Sequence, residues 1–186
     1  VDILYVASPS PHKNLKIIPQ VAHILKYKYK LDNFRFLVTI PSKEEDITAQ
    51  IMKEVRQLSV EENVVNVGGK SQAELVDLYE SATIGFFPSV LETFSATLLE
   101  YMYFGLPIVS SDKSFNTEVL GDAALLFNVT DAQGAAEAIY SIIVNPDIKE
   151  SLRAKAEQRI KMYLDYEKHY RCTIAFFESI VCKKER

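Results

Sequence analysis

Cysteine is scarce in this chain: its 186 residues include two, Cys172 and Cys182. They sit ten apart on one predicted helix, roughly 15 Å along its axis and too far for a disulfide within it. Both read as reduced cytosolic thiols or packing residues, and a disulfide-built scaffold is excluded. An excess of positive charge is also missing. Lys and Arg number 21 against 25 Asp and Glu, a formal net charge of -4 with the signs mixed. A nucleic-acid-strand binder would normally show a basic stripe, so that class is set aside. No apolar run reaches the length of a membrane span, and no signal peptide is present. There is no D-x-D pair, and no His/Cys/Asp cluster has metal-ligand spacing. Repeats, low-complexity tracts and internal linkers are lacking. So is an initiator Met, and the chain opens inside a strand pattern, Val1-Asp2-Ile3-Leu4-Tyr5-Val6, as expected of a fragment.

What is present is a core-forming composition, 48% hydrophobic, in a chain long enough for one domain, 1–186. Apolar runs alternate with amphipathic stretches from end to end. This is the pattern of an α/β fold: a Rossmann-like, doubly wound parallel sheet of about six strands flanked by helices. Strands are expected at 3–7, 34–40, 63–67, 83–87, 108–110 and 124–127. Ser42 with Glu45, and Ser71 with Glu74, have capping-box spacing. Helices are expected over 15–28, from the first box to about 58, over 95–104 and over 131–144. Further helices follow Asn145-Pro146 and begin near Asp165. The last carries the apolar stripe Tyr166, Tyr170, Ile174, Phe177 and Val181.

The chemistry concentrates in 88–107, PSVLETFSATLLEYMYFGLP. A buried strand leads into a loop holding Glu92. Small and hydroxyl residues follow (Thr93, Ser95, Ala96, Thr97), and then a helix carrying Glu100. A helix N-terminus offers unpaired N–H groups and a positive dipole end, which suits phosphate. Small residues let a ligand approach the backbone. Ionised carboxylates accept several hydrogen bonds, which suits sugar or ribose hydroxyls. The loop after the first strand, Ser8 to Asn14, lies at a strand's carboxyl end, where open α/β sheets bind ligands. The bland alternatives are a cap or dipole partner for Glu92, a solvated helix residue for Glu100 and an ordinary solvated loop lysine for Lys13. His12 reads as an exposed loop residue. The basic run 26–30 reads as a solvated helix end rather than a lipid contact.

Glu92 and Glu100, seven residues between them, with YMYFGLPIVSSD following, resemble the E-x7-E signature of the group 1, retaining GT-B glycosyltransferases. Those usually read E-G-F-G and then E-A-M-A-x-G-x-P-V-V. The likeness also covers ILYVASPSPHKN, VVNVGGKSQAELVDLYESATIGFFPS and NTEVLGDAALLFNVTDAQGAAEAI, nearly the whole chain. It implies the second, donor-binding half of a GT-B fold, from an enzyme about twice this length. The reaction implied moves a hexose from a nucleotide-diphosphate sugar to an acceptor hydroxyl with retention, without metal or other cofactor.

By the same resemblance, Lys13 contacts the donor diphosphate and Glu92 orients the sugar; these two are the catalytic candidates. Ser8 stands where the family has an arginine, and Asn14 where it has a glycine. The Thr93, Phe94 and Ser95 backbone receives the diphosphate, Glu100 binds the ribose, and Val67, Gly69 and Lys70 neighbour the base. Thr93 and Ser95 replace two loop glycines, which would be strained if those positions need positive φ. Glu118 matches a recurrent family glutamate, or is simply a helix-start residue near Asn116. The acceptor, saccharide or lipid-linked, would be held by a missing N-terminal domain, toward which 165–186 would pack. The fragment alone would then be inactive. A cytoplasmic enzyme of surface polysaccharide synthesis, peripheral at the inner membrane face, fits family habit. Two alternatives remain open at this point: half of a sugar-nucleotide epimerase, and a non-catalytic α/β interaction module.

Overall fold

The structure, a computed structural model, describes residues 1–6, 8–41, 45–163, 165, 167, 168, 170–175 and 177. Six strands form one parallel sheet: β1 (Asp2–Tyr5), β2 (Arg35–Val38), β3 (Val64–Asn66), β4 (Ile84–Phe87), β5 (Ile108–Ser111) and β6 (Ala124–Phe127). Their order is β3-β2-β1-β4-β5-β6, so the winding reverses between β1 and β4. The central strands are covered on both faces, and all four residues of β4 and of β5 are buried. This is why they read as unbroken apolar runs rather than alternating ones.

The intervening helices are α1 (Ile17–Tyr27), α2 (Glu45–Gln57), α3 (Gln72–Ser81), α4 (Ala96–Tyr103), α5 (Ser114–Leu120), α6 (Ala132–Val144) and α7 (Pro146–Ile160). Local signals set several of their ends. Ser71 and Glu74 complete both bonds of the capping box at α3. Asp131 caps α6 through the Gly134 N–H, and Asn145 caps α7 ahead of Pro146. The box expected of Ser42 and Glu45 lies outside the described residues, as do Tyr166, Val181 and Cys182. Cys172 is exposed and unbridged. Residues 167, 168, 170–175 and 177 are helical, and Tyr170 and Ile174 are exposed. One expectation is corrected. Lys113 is extended (φ -86°, ψ 143°) and α5 starts at Ser114, so Glu118 is inside the helix rather than at its start.

In the basic run 26–30, Lys28 and Lys30 are exposed, as at a solvated helix end, while neighbouring side chains reach α2. His23 Nδ1 is 3.0 Å from the Leu58 carbonyl; Lys26 and Tyr27 both donate to the Ser59 carbonyl, at 2.8 and 3.2 Å. These side chains of α1 satisfy the carbonyl end of α2, where the backbone turns left-handed at Ser59. Tyr29 stacks on Tyr140 with ring centroids 4.3 Å apart. Among the described residues no helix is long and apolar enough to cross a membrane.

Two residues fix α4 against the sheet. Gly85 lies under the Tyr101 ring, and a Cβ at 85 would sit 2.7 Å from ring carbons. The Tyr101 hydroxyl donates to the Leu4 carbonyl at 2.8 Å and accepts from the Val6 N–H at 3.3 Å. β1 and β4 pair only at Ile3↔Ile84 and Leu4↔Gly85. Tyr101 thus occupies backbone groups just beyond, where the two strands stop pairing.

Candidate functional site

The loop leaving β1 runs through a short 3-10 turn, Pro11–Lys13, into Asn14, whose backbone is left-handed (φ 53°, ψ 38°). Asparagine is among the few non-glycine residues that adopt this region readily, so it can stand at a glycine position. Its side chain adds what glycine cannot: Nδ2 donates to the Pro88 carbonyl at 3.2 Å and the Val129 carbonyl at 2.9 Å. The segments following β1, β4 and β6 are joined through one amide. Two further bonds tighten the seam, Val90 N–H to the His12 carbonyl at 2.7 Å and Tyr5 hydroxyl to the Lys13 carbonyl at 2.6 Å.

This framework brings Lys13 and Glu92 together although 79 positions separate them. Nζ and Oε1 are 2.5 Å apart, with the side chains only 15% and 10% exposed. The ammonium also lies 5.9 Å from the centroid of the Phe87 ring. A charge pair this well covered is screened little by salt.

After Glu92 the chain enters α4 at Ser95, which is buried and extended (φ -107°, ψ 111°) and makes no side-chain cap bond. The first N–H groups of α4, like those of α1 and α5, therefore lack the side-chain acceptor found at α3, α6 and α7. Among the described residues, left-handed backbone outside glycine occurs only at Asn14, Lys30 and Ser59. Thr93 and Ser95 adopt ordinary conformations, and this loop has no need of glycine. Phe94 is exposed, its ring 6.5 Å from that of Tyr163.

Glu100 lies on the following turn of α4, and its Oε2 accepts from the Tyr79 hydroxyl at 2.5 Å. The Tyr79 ring stacks on Phe104 at 5.0 Å and meets Tyr101 edge-on at 5.8 Å. Burial and the neighbouring carboxylate push the Tyr79 phenol well up from its ordinary value, so it stays a donor.

The remaining expected residues lie farther out. β3 is two strands from β1, roughly 10 Å across the sheet. Gly68, not Gly69, takes the left-handed turn there (φ 77°); Gly69 packs on Pro41, and the Val67 N–H bonds the Val38 carbonyl. Lys70 pairs with Glu74 at 3.5 Å. Ser8 is exposed, and its carbonyl accepts from the Ser10 N–H. The structure therefore joins Lys13, Glu92 and the 93–95 backbone, with Glu100 on the adjoining helix, and leaves Val67, Gly69 and Lys70 at the sheet's far edge.

Beneath these residues lies a polar support that no motif marks. Ser89, Ser111 and Asn116 are fully buried. The Ser111 hydroxyl donates to the Ser89 carbonyl at 2.6 Å, and Asn116 Nδ2 donates to Ser111 Oγ at 2.8 Å. Ser89 Oγ lies 3.4 Å from the Tyr5 hydroxyl. Ser89 and Ser111 lie at or just past the carboxyl ends of apolar strands β4 and β5, a faint sequence signal, whereas Asn116 comes from α5. A cleft of about 470 Å³, lined by Val1, Asn33, Arg35, Asn63 and Thr83, sits at the opposite, amino end of the strands. It is not where such sheets bind ligands, and Lys13, Glu92 and Glu100 do not line it. Among the described residues no three His, Cys, Asp or Glu side chains group to hold a metal.

Comparison with known proteins gives consistent results. The O-antigen chain mannosyltransferase B of Escherichia coli is 25% identical over 160 residues, covering 86% of this chain and 41% of that protein. The α,α-trehalose-phosphate synthase (UDP-forming) of Burkholderia vietnamiensis superposes with a TM-score of 0.85 at 14% identity, over 100% of this chain and 45% of that one. Anabaena HepE, in complex with UDP and glucose, gives 0.82 at 16% identity, over 96% and 48%. The chain spans less than half of each of these proteins, and the structural likenesses speak for the fold. The sequence model described as Glycosyl transferases group 1 matches residues 1–159. This chain belongs to the group 1 glycosyl transferase family.

Proposed function

We propose that the chain is the donor-binding part of a glycosyltransferase that moves a sugar from a nucleotide-diphosphate sugar to an acceptor hydroxyl with retention. The observation that carries this reading is the Lys13–Glu92 pair at the β1/β4 reversal, beside an α4 N-terminus without a side-chain cap. Ligands of doubly wound sheets bind at that crevice. A phosphate there meets one ammonium and a row of amides. Both favour the charge that grows on a leaving diphosphate, and both are fixed before the reaction begins. Glu92 orients the sugar hydroxyls, a positioning role. Glu100 takes the ribose, and the base extends from it toward Val67, Gly69 and Lys70 at the β3 edge of the sheet. The leaving phosphate, rather than a protein carboxylate, assists deprotonation of the acceptor on the same face.

One structural relative is in complex with UDP and glucose and another is a UDP-forming synthase, and these support a uridine donor. The E. coli relative's role in O-antigen assembly favours surface polysaccharide as the product. The exposed Tyr170 and Ile174 suit packing of the C-terminal helix against an acceptor-binding half.

The experiment is calorimetric titration of the chain with UDP, GDP, ADP and dTDP, repeated on Lys13→Ala and Glu100→Ala. One nucleotide is expected to saturate, with affinity about tenfold or more weaker in each variant, the size of a lost charged hydrogen bond. Binding that neither substitution alters would remove the site from this crevice.

A further inference from the structure

The Tyr79–Glu100 contact carries a consequence for nucleotide choice, and it rests on the reading in which Glu100 takes the ribose. We infer that Tyr79 is a positioning residue which, through Glu100, makes the site select ribonucleoside diphosphates over their 2′-deoxy counterparts.

Glu100 is half-buried, and its two oxygens are not equivalent. Oε2 accepts from the Tyr79 hydroxyl, while Oε1 has no protein partner among the described residues. A carboxylate on a glutamate side chain normally samples several rotamers, and ordering it costs conformational entropy on binding. Here that cost is met in advance. Tyr79 is 3% exposed and is held by Phe104 on one face and by Tyr101 at its edge. The phenol cannot swing away, and the carboxylate it holds cannot turn freely.

Tyr79 belongs to α3, Tyr101 to α4, and Phe104 is the C-cap of α4, one helical turn after Glu100. Packing and hydrogen bond therefore fix the same group. A ribose cis-diol presents two donors to a carboxylate; 2′-deoxyribose presents one. A fixed acceptor discriminates between them more sharply than a mobile one, because the missing hydroxyl leaves an oriented, partly desolvated oxygen unpaired. Tyr79 remains neutral, and so remains a donor, through the physiological range.

Substitution Tyr79→Phe tests this because it keeps the ring and removes only the hydroxyl. The chain, Tyr79→Phe and Glu100→Ala are titrated calorimetrically with UDP, GDP and ADP and with the 2′-deoxy form of each. The unmodified chain is expected to bind the ribo form of its nucleotide about tenfold or more tightly than the deoxy form. Tyr79→Phe is expected to bring that ratio within about threefold by weakening the ribo form more than the deoxy form. A role confined to packing would weaken both forms equally and leave the ratio standing, which overturns the inference. So does an unmodified chain that binds without preference. If Glu100→Ala abolishes the ratio and Tyr79→Phe preserves it, the donor-site reading survives and this inference falls by itself. A chain that binds no nucleotide, or one whose binding ignores Glu100, overturns both.

Discussion

A diphosphate reaching Lys13 must compete with Glu92 for the ammonium, because the two side chains already lie 2.5 Å apart and are largely covered. Glu92→Gln removes the competing charge and leaves the size of the side chain unchanged. Nucleoside diphosphate affinity is expected to rise by about three- to tenfold, following the weakened internal pair. Stability without nucleotide is expected to fall by about 1–3 kcal/mol, since Lys13 loses its partner in a covered position. Titration calorimetry and urea denaturation, run with and without nucleotide, would read both. Weaker binding in the variant would mean that Glu92 aligns Lys13 for phosphate rather than competing with it. At this scale, Lys13, Glu92 and Glu100 stood out as candidates because they fall in the stretches that carry the family resemblance. Asn14 was legible only as a departure from the family glycine. Its bonds run to residues 74 and 115 positions away, and no local pattern carries that information. Tyr79 gave no sign for the same reason: it is a core aromatic whose hydroxyl meets a residue of the next helix.

Helix ends were read best where the signal is a cap. α6 and α7 begin where Asp131 and Asn145-Pro146 place them. Strand ends were read too long at β1 and β2, for a physical reason. Val6 and Ile40 look like strand residues, but the Val6 N–H goes to the Tyr101 hydroxyl and the Ile40 N–H to Asn66 Oδ1. The first of these bonds depends on how α4 lies on the sheet, and that in turn depends on Gly85. Gly85→Ala puts a methyl 2.7 Å from the Tyr101 ring, in a fully buried layer. The ring or the helix has to move. A loss of about 2–3 kcal/mol is expected in urea denaturation, the upper range for overpacking. Nucleotide affinity should fall with it, because Glu100 precedes Tyr101 and moves with the same helix. Reduced stability with unchanged affinity would show that the ring alone yields and that α4 keeps its place.

At the scale of the whole molecule, the carboxyl-end rule pointed to the loop after β1, and the doubly wound parallel sheet followed from alternation. The buried polar seam beneath the crevice did not, since Tyr5, Ser89, Ser111 and Asn116 converge only in three dimensions. That seam and the sheet core give the fold an alkaline limit. Tyr5 and Tyr101 are fully buried, and burial is the chief cause pushing both phenols up from an ordinary 10.0. The sign follows from which state binds the protons. Below pH 10 both states keep them, and the stabilisation is fully present. Above it the unfolded chain releases protons that the fold retains, so stability falls as pH rises toward the raised values. Each such phenol contributes a slope of up to about 1.4 kcal/mol per pH unit, and the pair about 3. Urea midpoints measured between about pH 8 and pH 11 should therefore turn steeply downward near pH 10. Phenolate absorbance from these two side chains should appear together with unfolding. Tyr5→Phe lowers the starting stability through its lost bond to the Lys13 carbonyl, but it should make the alkaline slope shallower by one phenol's share. A slope unchanged by that substitution would mean that Tyr5 ionises within the fold, and that water reaches the seam supporting Lys13.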